Sequence, residues 1–95
     1  MSVYFVANIL ICNDQEYQFY LDRVEEIFAR YKGRYLAVDN SPEVLEGEWK
    51  YSRAVLIRFD KQADFDAWYR SDEYKEILKY RLAASECDTI LMQGS

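Results

Sequence analysis

Few residues in this chain have the chemistry to act on another molecule, and Arg81 is the first of them. In 67-AWYRSDEYKEILKYRLAAS-85 it stands on an otherwise apolar helical stripe with Tyr74, Ile77, Leu78 and Leu82. A guanidinium so placed can hold a carboxylate or enolate bidentately. It can also bury its stem and pair its head with an Asp or Glu of a neighbouring element. Structural ion pairs outnumber catalytic arginines, so that pairing is the expected role. Asn8 and Arg58 each interrupt an apolar row, on segments that read as neighbouring parallel strands, and together they would line a polar pocket. Their ordinary alternative is a hydrogen-bonded pair inside a dimer interface. Trp68 and Tyr69, with Tyr17, offer rings to stack on a planar ligand and phenolic protons, although helical spacing accounts for most aromatic residues as core or interface. Glu46 and Glu48 lie in a connecting segment, where carboxylates are usually solvated.

The chain has no histidine, which removes the commonest general base and the commonest transition-metal ligand together. Its two cysteines are far apart and it has no Gly-rich phosphate loop, so zinc, nucleotide and serine-triad chemistry find no support. No metal and no cofactor is expected. Cys12 ends the first strand and Cys87 begins the last, and these strands are expected to be antiparallel neighbours. Setting Cys12 against Cys87 puts Leu10 opposite Thr89 and Asn8 opposite Leu91. With no secretion signal, reduced thiols are the expected state and a redox pair the alternative.

Twelve basic against seventeen acidic residues leave a net charge of −5, which argues against nucleic acid or an anionic membrane as partner. No apolar run approaches the roughly 20 residues of a membrane span, and a cytoplasmic location is expected. Ninety-five residues make one domain, 1–95, with a thin core. Yet 51% of the residues are hydrophobic, and nine tyrosines and two tryptophans are more amphipathic surface than such a core absorbs. Association is the natural outlet.

Six or seven elements can be placed. The run 3-VYFVANILI-11 is apolar at nearly every position and reads as a strand buried on both faces. Asn13 with Glu16 starts a helix that carries Tyr17, Tyr20, Leu21, Val24, Ile27, Phe28 and Tyr31 at helical spacing up to Gly33. The segment 34-RYLAV-38 alternates as a second strand, and 53-RAVLIRF-59 reads as a third, with Val55, Ile57 and Phe59 on one face. Between them 44-VLEGEW-49 is a connecting arm. Asp60 is positioned to cap a second helix and Ser71 a further one, and 87-CDTILMQ-93 reads as the last strand. The order is β-α-β-β-α-β with its second helical region split: an α+β, ferredoxin-like pattern, a four-stranded antiparallel sheet with helices on one face.

Helices on one side leave the other face of the sheet bare. The first strand puts Val3, Phe5, Ala7, Ile9 and Ile11 on one face and Tyr4, Val6, Asn8, Leu10 and Cys12 on the other, and both sets are mostly apolar. A one-layer sheet should alternate apolar and polar. A second copy of the chain, packed sheet to sheet about a two-fold axis, would cover the spare face, so a homodimer is expected.

The stretches 45-LEGEW-49, 68-WY-69, 71-SDEY-74, 81-RLAA-84 and 31-YKGRYL-36 resemble the small proteins grouped as domain of unknown function 1330, over essentially the whole chain. The resemblance implies a ferredoxin-like fold that forms a dimeric α/β barrel. Two positions depart from the pattern: Lys32 precedes Gly33 where a His-Gly-Gly run is common, and Asp72 follows Ser71 where proline is common. The wider superfamily, similar in fold only, includes cofactor-free monooxygenases, lactone isomerases and haem enzymes. Two functions follow. One is a homodimeric module that binds a small hydrophobic or aromatic molecule or serves as an interaction domain. The other is a cofactor-independent enzyme, monooxygenase-like or isomerase-like, using Arg81, Asn8 and Arg58 as electrostatic clamps.

Overall fold

The segment that is apolar on both sides takes the centre of the sheet. In a computed structural model that describes residues 1–95, β1 (Val3–Ile11) is flanked by β3 (Arg53–Phe59) and β4 (Ser85–Gln93), and β2 (Gly33–Asp39) lies outside β3. The order is β2-β3-β1-β4 with every neighbouring pair antiparallel. This is the ferredoxin-like arrangement, with α1 (Asp14–Ala29), α2 (Gln62–Tyr69) and α3 (Asp72–Ala84) as its helices.

The antiparallel pairing of β1 with β3 corrects the expectation that they run parallel. The crossover through α1 lays β2 parallel to β1, and β3 returns between them, so it must run against both. Tyr4 therefore faces Arg58, and Asn8 faces Ala54. The Cys12–Cys87 register is also corrected. Because α3 runs straight into β4, the carbonyl of Ala84 accepts from the amides of Cys12 (2.7 Å) and Asn13 (3.0 Å). Cys87 then lies opposite Ile9, Thr89 opposite Ala7 and Asp88 opposite Asn8. The offset of three residues puts the two thiols on different faces, and both are free.

Local chemistry explains the helix ends. Asn13 Oδ1 accepts from the amide of Glu16 (3.1 Å) at the start of α1, and Ser71 Oγ accepts from the amide of Tyr74 (3.1 Å) at the start of α3. Asp60 does not cap α2. Its carboxylate takes the Arg58 guanidinium at 2.8 Å instead, and α2 starts after Lys61 with no side-chain cap. Leu82 is likewise not on the inner stripe of α3: with Tyr74, Ile77, Arg81 and Ala84 inward, the 100° step past Arg81 turns it out, 63% exposed.

The core sits between the helices and one face of the sheet. Phe5, Phe59, Phe28, Phe65 and Tyr74 surround Trp68, which is fully buried. Residues 40–52 form neither helix nor strand. From this arm the Tyr51 hydroxyl donates to Asp88 on β4, and the Trp49 ring meets Tyr51 edge-on at 5.0 Å. The arm thus screens one corner of the sheet face that carries no helix.

Two neighbouring residues at the entry to β2 are under opposite constraints. A methyl on Gly33 would come within 2.6 Å of the Phe59 ring and 3.1 Å of Phe28, both buried. Lys32 holds a left-handed backbone, φ 67°, which disfavours any side chain. Gly33→Ala should therefore lower the unfolding free energy by about 1–3 kcal/mol, as overpacking does. Lys32→Gly should raise it by about 1 kcal/mol. Urea unfolding midpoints of the two variants check both signs.

Candidate functional site

A strand that alternates inward and outward puts residues 53, 55, 57 and 59 on one face, so Arg53 shares the buried face of β3 with Val55, Ile57 and Phe59. It is 8% exposed. Arg81 reaches the same region from the last turn of α3 and is 3% exposed. Between them lies the row Arg53–Ile9–Cys87 across β3, β1 and β4. Tyr17 and Tyr20 descend on it from α1, and Tyr35 closes it from β2.

Arg53, Arg81, Tyr17, Tyr20 and Tyr35 line a cleft between α1 and the sheet whose other walls are Phe5, Ala7, Ile9, Leu21, Val24, Val55 and Ile57. Its enclosed part is about 20 Å³, within an opening of about 300 Å³ that includes solvent. The enclosed figure describes the closed site, and it admits a group of water size or slightly larger. Leu21 and Tyr35, the half-exposed liners, mark the mouth.

The electrostatics are unusual because no carboxylate meets either arginine. The ion pairs of the molecule are Arg23–Glu26, Arg30–Glu73, Arg58–Asp60 and Lys79–Glu76. The expected pairing of Arg81 with an Asp or Glu is thus corrected: the inner face of α3 and the elements packed on it present phenols, not acids. The Arg81 guanidinium lies over the Tyr20 ring at 5.9 Å, and its Nε and Nη1 have no partner. Burial works against its charge, but the phenols of Tyr74 and Tyr20, then Cys87 and Tyr69, outweigh burial and hold its pKa above the ordinary value. Arg53 gives one Nη1 bond to Asn40 Oδ1 (2.9 Å) at the base of the arm, and its Nε is unpartnered.

The phenols stay neutral. Burial pushes Tyr17 up to about 12, opposed by the nearby Arg53 and Arg81 charges. Tyr74 is pushed up to about 12 and Tyr20 well above its usual value, again chiefly by burial. Tyr20 and Tyr74 share a hydroxyl–hydroxyl bond of 2.9 Å. At neutral pH these groups are donors, not bases.

Of the residues singled out from sequence, Arg81 and Tyr17 line this cleft. Asn8 and Arg58 lie on the helix-free face, offset by four residues along β1, roughly 13 Å. They do not converge. Arg58 is occupied by Asp60 and by Ser2 Oγ. Trp68 is enclosed by other rings, and Tyr69 stacks on Phe65 at 5.2 Å, at the α2 end of the core. Arg53 and Tyr35 were missed, though the alternation that places Val55, Ile57 and Phe59 inward also places Arg53. No group of three or more His, Cys, Asp or Glu side chains is placed to hold a metal. No helix is long and apolar enough to cross a membrane.

The model of the family described as domain of unknown function (DUF1330) matches residues 2–95. The chain belongs to the DUF1330 family. No curated protein matches its sequence. Among solved structures, it is similar to a protein of unknown function from Rhodopseudomonas palustris at 16% identity and TM-score 0.86, over 99% of this chain and 82% of that one. A cofactor-independent oxygenase from Streptomyces nogalater has 16% identity and TM-score 0.72, over 99% and 93% of the two chains. A dimeric ferredoxin-like protein of unknown function from Jannaschia sp. CCS1 has 8% identity and TM-score 0.77, over 99% and 100%. At these identities the likeness is one of fold, and it agrees with the ferredoxin-like architecture of this DUF1330 domain.

Buried phenols make stability depend on alkaline pH. Tyr17 and Tyr74 ionise near 10 when unfolded and near 12 when folded, so between those values the folded state holds more protons. Stability is then fully present below pH 10 and falls as pH rises to 12, by an amount on the order of 2 kcal/mol per phenol. Denaturant midpoints across that range, with tyrosinate absorbance followed in parallel, check the direction. Tyr17→Phe should flatten part of the slope.

Proposed function

We propose that this protein is a homodimeric domain that binds a small, largely apolar or aromatic organic molecule, one per chain, in the cleft between α1 and the sheet. One observation carries the reading. The enclosed cleft is walled by aliphatic and aromatic side chains, and a few polar groups, from Tyr17, Tyr35, Arg53 and Arg81, converge on it. That is the usual form of a small-ligand site. The closed volume of about 20 Å³ means that the ligand seats one group deeply and leaves its body at the mouth, or that Leu21 and Tyr35 move aside for it. A roomier hollow of about 480 Å³ lies among Pro42, Glu43, Val44, Leu45, Glu46 and Trp49, but it is an open fold of the arm with no buried polar group.

The dimer places the helix-free sheet faces together. That face carries an apolar band, Ala37, Leu56, Val6 and Ile90, in register across all four strands. Arg34 and Arg58 flank it at one end, and Asp39 and Asp88 at the other. A two-fold axis that reverses one sheet on the other lays apolar band on apolar band and basic end on acidic end, a self-complementary patch. The dent of about 210 Å³ formed by Val6, Ala37, Asp39, Ala54, Val55 and Leu56 is room for a partner's side chain. We place the protein in the cytoplasm, with Cys12 and Cys87 as free thiols.

A second reading is a cofactor-independent enzyme. The fold it shares with the Streptomyces nogalater oxygenase supports it, as do two guanidiniums able to stabilise an enolate.

Native mass spectrometry of the freshly purified protein is expected to give a dimer carrying a reproducible extra mass. Leu56→Asp, in the middle of the apolar band, is expected to give a folded monomer by light scattering and circular dichroism. A Leu56→Asp protein that remains a dimer would overturn the sheet-to-sheet assembly. Chemical change of the retained molecule on exposure to oxygen would favour the enzyme.

A further inference from the structure

A buried guanidinium without a carboxylate partner is costly, and this protein keeps two of them in one cleft. Arg53 and Arg81 are each more than nine-tenths buried, neither meets a carboxylate, and three of their N–H-bearing nitrogens have no partner. The chain has five more acidic than basic residues, so carboxylates to neutralise them are not scarce; they are simply elsewhere. Both guanidiniums line one cleft together with Tyr17.

We infer that this cleft contains an anion site: Arg53 and Arg81 together hold the carboxylate of a small organic acid, and Tyr17 donates a further hydrogen bond to it. The inference rests on the ligand-binding reading above and names the chemical class of that ligand. Guanidinium forks match the planar, two-oxygen geometry of a carboxylate and bind it bidentately. The enclosed space of about 20 Å³ leaves no room for a ring in the closed site, so only the head of such a molecule is seated there. The aliphatic and aromatic walls running out to Leu21 and Tyr35 then take an apolar body. The neutral state of Tyr17 fits the role, because a phenolate there would repel the ligand. Asn40 orients Arg53 by accepting from its Nη1, and the Arg53 Nε is left without a partner. The base of the arm is in this way joined to the site.

Sodium benzoate and its neutral isostere benzamide, each added to the wild-type dimer at millimolar concentration, test the assignment, with the ¹H–¹⁵N signals of the arginine Nε groups as readout. Benzoate is expected to shift the Nε signals of Arg53 and Arg81 saturably, with benzamide about tenfold or more weaker. Arg81→Met and Arg53→Met should each abolish the preference for benzoate, and Arg53→Lys should retain part of it. Should a Met variant fail to fold, the wild-type comparison still decides. Equal binding of benzoate and benzamide would overturn the anion site while upholding the cleft as a ligand site. Binding of neither would overturn both, and shifts caused equally by chloride alone would overturn the organic acid.

Discussion

Every other feature of the molecule depends on β1 being apolar on both faces. A strand of that kind is stable only where both its edges are paired and both its faces covered, so it takes the centre of the sheet, between β3 and β4. Its inward row, Val3, Phe5, Ala7 and Ile9, is then the floor on which α1, α2 and α3 pack. Its outward row, Tyr4, Val6, Asn8 and Leu10, stays half exposed in the single chain. Helices cannot serve both sides, because the two crossovers of this topology have the same hand and lay them on one face. The arm supplies only Tyr51 and Trp49 to the other face, at one corner.

The inner layer is not uniform along the strands. At the α2 end it is solid, with the rings of Phe5, Phe28, Phe59, Phe65 and Tyr74 around Trp68. At the α3 C-terminal end the aromatic packing gives way to a cleft, and the charged residues appear. The Arg81 charge meets the face of the Tyr20 ring at 5.9 Å and no acid. That solution is incomplete, since unpartnered nitrogens remain on both arginines. Buried polar groups in native proteins are overwhelmingly satisfied, so each exception calls for an explanation.

The element order, the strands apolar on both faces, the Asn13 and Ser71 caps and the ferredoxin-like pattern were legible in the sequence, because each is written in residues close together along the chain. Even Arg53 was within reach, as one more odd-numbered residue of β3. Where local signals competed, the sequence was ambiguous: Asp60 is a sound cap by type but was claimed by Arg58, and Leu82 fits the α3 stripe by type but not by angle.

By itself the sequence determined which faces are apolar, which residues begin α1 and α3, and that no histidine is there to serve as base or ligand. Only the tertiary structure decided which polar residues meet. The register of β1 with β4, set by the chain passing directly from α3 into β4, separated Cys12 from Cys87. The antiparallel pairing of β1 with β3 parted Asn8 from Arg58 and brought Arg53 level with Ile9. A one-residue shift in register exchanges the two faces of a strand, and a side chain's partners come from elements distant in sequence. For that reason Arg81 could be found on its stripe, while the absence of any acid to pair with it was decided only by the fold.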